Sequence, residues 1–78
     1  MAINWYIRRP DTNPNESTNY DLAAGEPACS GADEVCAIQA EEQFLGGYSR
    51  PVIDEVLQTE IAHALNSQTS NGNVRLRD

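Results

Sequence analysis

Residues Ile3 to Arg9 alternate, with Ile3, Trp5 and Ile7 pointing one way and Asn4, Tyr6 and Arg8 the other. This is the period of a half-buried strand rich in β-branched and aromatic types. Pro10 ends it, because proline has no N–H to give to a ladder. A second alternation runs from Glu34 to Ala40, where Val35, Ala37 and Gln39 alternate with Cys36, Ile38 and Ala40; this segment is expected to pair with the first strand. Tyr20-Asp21-Leu22 reads as a short strand or an anchor, with Tyr20 and Leu22 facing the core. The clearest signal follows Gly46-Gly47. Pro51 suits a first helical position, Asp54 and Glu55 suit the first turn, and Val52, Ile53, Val56, Leu57, Ile61, Ala64 and Leu65 form an apolar stripe. The pattern predicts a helix from about Pro51 to Ser67, with Asp54, Gln58, Thr59, His63 and Asn66 on its wet face.

Between these segments lie turn formers. Pro10 to Thr18 is a polar loop around Asn13-Pro14-Asn15, Ala24-Gly25-Glu26-Pro27 breaks the chain again, and Gly46-Gly47 is a linker or tight turn. Asn71-Gly72 sets a final turn before Val74-Arg75-Leu76-Arg77, a tail strand with Val74 and Leu76 inward. The pieces predict an α+β fold: one small domain over residues 1–78, with a loop-rich β part at 1–47, the helix region at 48–67, and a turn and tail strand at 68–78. One amphipathic helix covers a short antiparallel sheet.

At 78 residues the chain is in the range where a single core leaves folding marginal and a staple helps. Its two cysteines, Cys29 and Cys36, are the natural staple. Their spacing matches neither a redox pair with two intervening residues nor a zinc site with two pairs of ligands. A structural disulfide is the favoured reading, with free thiols and metal or redox chemistry as the alternatives. A bond would require an oxidising compartment.

The formal charge is −7, from twelve acids against five arginines, and there is no lysine. Phosphate backbones are repelled on average, so nucleic-acid binding is not expected. No window is long and apolar enough to span a membrane, and no signal-peptide pattern precedes the strand-like start. Two readings follow, a cytosolic protein with reduced thiols or a mature secreted or periplasmic protein whose signal has been removed, and the strand-like start at Ile3-Asn4-Trp5-Tyr6-Ile7 fits the second better.

Candidate chemistry is sparse. His63 lacks a positioned nucleophile or acid among its helical neighbours Thr59, Glu60, Asn66 and Ser67, so a surface histidine is expected rather than a general base. Asp33, Glu34, Glu41 and Glu42 have the hard oxygens that calcium prefers, but they lack the spacing and glycine of a calcium loop. Trp5, Tyr6, Tyr20 and Tyr48 could line a carbohydrate or peptide groove, although core and rim packing explains aromatics more simply. Asn15-Glu16-Ser17 matches a glycosylation acceptor, a triplet common by chance. Phe44-Leu45-Gly46-Gly47 resembles the end of a double-glycine leader, but a glycine turn accounts for the same residues. No catalytic, metal or cofactor motif stands out.

Taken together, Trp5-Tyr6-Ile7-Arg8, the Thr12-Asn13-Pro14-Asn15 loop, Asn19-Tyr20-Asp21-Leu22 and the run from Cys29 to Ala40 resemble a group of short secreted proteins of Bacteroidota of unknown function. The resemblance covers about the first half of the chain. It implies export and a disulfide between Cys29 and Cys36, and no activity, cofactor or partner.

The expected function is a non-enzymatic secreted or periplasmic binding module. The candidate interaction surface is an open sheet edge at Val74, Arg75, Leu76 and Arg77, where a partner strand could add. The alternatives are an exported precursor cut after Gly47 and a small hydrolase using His63.

Overall fold

The longest strand is the element with which most of the others pair. The computed structural model describes residues 3–78, and within it β3 spans Glu34–Leu45. On one edge of β3 lies β1 (Ile3–Arg8), antiparallel, with Tyr6 opposite Ile38 and Asn4 opposite Ala40. The other side of β1 carries β2 (Tyr20–Leu22), with Arg8 opposite Tyr20. Two further strands pair with β3: β4 (Tyr48–Pro51) with residues 42–45 and β5 (Val74–Arg77) with residues 34–38. Gln39 and Glu41 are two residues apart and so face the same edge. Gln39 donates its N–H to the Asn73 carbonyl, and Glu41 accepts from the Val52 N–H, each at 2.8 Å. β4 and β5 therefore follow one another along this edge, and helix α1 (Glu55–Ser67) connects them.

The two cysteines form a disulfide, with Cα atoms 6.2 Å apart. Cys36 falls where the β3–β5 register shifts, between Val35 and Ala37. Such a bulge breaks simple alternation. Val35 and Ile38, which strict alternation would place on opposite faces, both enter the core. Ala37 is also fully buried, but on the outer face, between Ile7 and Arg75 in the register.

The sheet curls until the Arg50 guanidinium of β4 donates to the Tyr20 carbonyl on β2. Inside the curl lie Tyr6, Tyr20, Val35, Ile38, Val74 and Leu76, closed by Leu57, Ile61 and Ala64 of α1. The buried side of β1 is thus the Tyr6–Arg8 side. Ile3 and Ile7 stand outside, 61 % and 41 % exposed, and Trp5 lies under the Arg75 guanidinium, 5.0 Å from the ring centre. Leu22, expected to face the core, is half exposed because β2 is the margin of the sheet.

The helix begins later than its apolar stripe suggested. Pro51 belongs to β4, opposite Glu42. The true N-cap is Asp54, whose carboxylate accepts the Leu57 N–H at 2.9 Å, a cap worth about 1 kcal/mol. Val52 and Ile53 are the link between strand and helix. Gly46 and Gly47, both with positive φ (59° and 84°), make the tight turn between β3 and β4. That is the geometry of a two-residue hairpin, and it extends β3 to Leu45.

Candidate functional site: a groove at the helix start

Where β4 leaves the edge of β3 and β5 joins it, the sheet and the first turns of α1 enclose a groove of about 390 Å³. Ala40, Val52 and Leu57 give it an apolar floor. Its walls are Ile3 at the start of β1 and Val56 in the first turn of the helix, 61 % and 67 % exposed. Large apolar side chains left this open on two facing elements are the kind of surface that marks an interaction site.

Three acids line the same groove: Glu41 from β3, and Asp54 and Glu60 from the helix region. Asp54 spends one oxygen on the cap, and Glu60 Oε2 accepts the Asn73 side-chain amide at 2.8 Å. Among the described residues none of the three is in a salt bridge. The reason lies in where the arginines went. Arg8 and Arg77 pair with Glu34, Arg9 and Arg50 with Asp21, and Arg75 with Glu26. Every arginine of the chain is engaged with other acids.

These pairs leave a chemical mark. Hydrogen bonding from Arg9 holds the Asp21 carboxyl below its ordinary range, with Arg50 adding to the effect. Hydrogen bonding from Arg77 does the same for Glu34, with Arg8 assisting. Burial pushes the Tyr20 phenol well up, so that it stays protonated and donates to the Pro14 carbonyl at 2.6 Å. The most deeply placed cation is Arg8, 3 % exposed, which donates to the Val35 carbonyl at 2.6 Å and to that of Thr12 at 2.7 Å.

The residues singled out from sequence are dispersed. His63 is exposed on α1 and makes no hydrogen bond or ion pair among the described residues. Asp33 and Glu34 sit at one end of β3 and Glu41 and Glu42 near the other; Glu34 is held by arginines, while Glu42 accepts from Ser49 at 2.6 Å and Asn4 at 3.3 Å. Tyr6 and Tyr20 are core, and Tyr48 is exposed beside the hairpin turn. Gly46-Gly47 lies in that turn, so a cut after Gly47 would part β3 from two of its pairing strands, β4 and β5. No group of three or more histidines, cysteines or acids suited to a metal occurs among the described residues, and no helix is long and apolar enough to cross a membrane.

The β5 edge requires a correction of detail. Val74 and Leu76 do point inward. The edge facing away from β3, however, is not open. Asn71 Oδ1 accepts the Val74 N–H, the Asn71 N–H reaches the Val74 carbonyl, and Ser70 Oγ accepts the Leu76 N–H, all at 3.0 Å. A partner strand would first have to displace the turn that precedes β5.

The groove was missed in the sequence because Ile3 and Val56 are 53 positions apart and only the tertiary fold sets them face to face. The usable signal was Val56 itself, an apolar residue at the margin of the helical stripe. No family model, curated protein or solved structure matches this chain.

Proposed function

We propose that this protein is a small extracytoplasmic binding module without catalytic chemistry of its own, and that it binds through the groove between Ile3 and Val56. The observation that carries this reading is the pair of exposed apolar walls over an apolar floor, a concave surface within the size range of ligand sites. The disulfide supports the compartment, since such bonds persist where the surroundings are oxidising. The likeness of the first half to short exported proteins of Bacteroidota belongs to the same proposal.

Two measurements test it. Small amphiphilic fragments added to isotope-labelled protein should shift amide resonances of Ile3, Ala40, Val56 and Leu57 together. Val56→Asp should abolish those shifts without unfolding the chain, because Val56 is largely exposed. Shifts scattered over the surface would remove the groove as the binding site. For the compartment, protein taken from its native host should alkylate at Cys29 and Cys36 only after reduction; full alkylation without reductant would overturn the extracytoplasmic assignment.

A further inference from the structure

The hairpin that joins β3 to β4 stands clear of the rest of the chain. Every residue from Phe44 to Tyr48 is exposed, and among the described residues nothing lies within 4 Å of where a side chain at Gly46 or Gly47 would begin. No residue from Gln43 to Ser49 is charged, in a chain of net charge −7. Phe44, Leu45 and Tyr48 nevertheless meet water, at 68 %, 41 % and 66 % exposure. None of them belongs to the core.

Their placement narrows what can cover them. Leu45 is opposite Tyr48 and Phe44 opposite Ser49, and neighbours along a strand point to opposite faces. Phe44 therefore projects from the side of the ribbon on which Ser49 Oγ meets the Tyr6 hydroxyl at 3.0 Å, and Leu45 and Tyr48 project from the other. A flat protein face covers one side of such a ribbon and leaves the other wet. A fluid apolar phase covers both. The base of the hairpin, by contrast, is polar: the Arg50 guanidinium lies 5.2 Å from the Tyr48 ring centre and pairs with Asp21 at 3.0 Å, and Glu42 accepts from Ser49 at 2.6 Å. Arg50 follows Tyr48 by two residues, roughly 7 Å along the strand. An element lying at a bilayer surface buries its apolar part by about 5–10 Å, so the uncharged tip matches that depth. Tyrosine suits the boundary because its ring is apolar and its hydroxyl wet. We propose that the Phe44–Tyr48 tip inserts shallowly into the surface of a lipid bilayer, with Arg50 at the level of the headgroup phosphates. The Gly46-Gly47 peptide groups find water and headgroup oxygens at that depth, whereas the hydrocarbon core would leave them unpaired. The net charge of −7 repels anionic lipid, so the surface is a zwitterionic one.

The probe is vesicles of pure phosphatidylcholine mixed with the full-length protein at low salt. The protein should co-sediment with them, and in isotope-labelled protein a spin label on the lipid headgroup should broaden the amides of Phe44, Leu45, Gly46, Gly47 and Tyr48 before any others. Phe44→Ser combined with Leu45→Ser should lower partitioning about tenfold or more, since withdrawing one large apolar side chain from water is itself worth about that factor. Both side chains are exposed, so the remaining amides should keep their positions. Replacing part of the lipid by anionic phosphatidylglycerol should weaken binding, and added salt should restore it. No partitioning into phosphatidylcholine vesicles, or equal partitioning of the double variant, would overturn the proposal. Broadening centred on Ile3 and Val56 would mean that the groove faces lipid instead of the hairpin, and would overturn it too. Tip resonances that shift with protein concentration in the absence of lipid would identify a second copy as the cover, with the same consequence.

Discussion

Two acidic regions of this protein, treated alike by its composition, are treated oppositely by its fold. On one side, Asp21, Glu26 and Glu34 each hold one or two arginines at distances from 2.7 to 3.4 Å. There charge ties β1, β2, β4 and β5 to their neighbours and fixes the long loops, as when Glu26 takes both Arg75 Nε and Nη2 while Arg75 covers Trp5. On the other side, Glu41, Asp54 and Glu60 surround an apolar groove with no cation among the described residues that line it. The first region is a set of internal fastenings. In the second, Asp54 caps α1 and Glu60 takes the Asn73 amide, but none of the three acids is in a salt bridge among the described residues, and Ile3 and Val56 stand exposed beside them. The arginine pairs are therefore confined to one set of acids, and the groove acids are held, where they are held at all, by neutral donors.

The difference is sharpest at Arg8. Removing it in Arg8→Ala leaves the carbonyls of Val35 and Thr12 without their donor and opens a void beside Tyr20. The loss should be about 3 kcal/mol, the range for stripping a buried, hydrogen-bonded cation, read as a lower urea midpoint. A loss under about 1 kcal/mol would mean that Arg8 behaves like a surface arginine. Reducing the disulfide, or replacing both cysteines by serine, should cost about 2.5 kcal/mol in the loop-entropy model, with the fold retained at low temperature.

Acid should separate the two regions further. Asp21 and Glu34 have folded pKa values below their unfolded ones, so their contribution to stability is present above the unfolded values near about pH 4 and is lost as pH falls through the lower folded ones. Asp21→Asn should flatten this acid limb. The smallest effect belongs to the groove. Glu41→Gln and Glu60→Gln together should change stability by no more than about 0.5 kcal/mol in either direction. A larger loss would show that the groove acids are fastenings too, and the contrast would collapse.

Local chemistry made much of the architecture readable. The Ile61–Leu65 periodicity announced the helix, Gly46-Gly47 a turn, Asn71-Gly72 the last reversal, and Val74 and Leu76 an inward-facing strand. Errors arose where a residue's role depends on distant neighbours. Pro51 has the chemistry of a first helical position, but β3 claims it because a proline opposite Glu42 leaves no ladder N–H wanting. Hydropathy would bury Ile3, Trp5 and Ile7. The fold instead buries Tyr6 and Arg8, because the phenol reaches Ser49 and the guanidinium reaches two carbonyls inside the curl. The groove shows the same limit more strongly, since nothing local to Ile3 or to Val56 marks them as lining one surface.

The sequence by itself determined what short-range forces can specify: which segments extend, which coil, where the chain turns, that the surface is acidic, and which two sulfurs are near enough to bond. The tertiary structure decided which face of β1 is inside, how the five arginines are shared among twelve acids, and which acids have no arginine beside them among the described residues. Those outcomes depend on pairings between residues tens of positions apart, and such pairings have no local signature because every candidate partner carries the same charge.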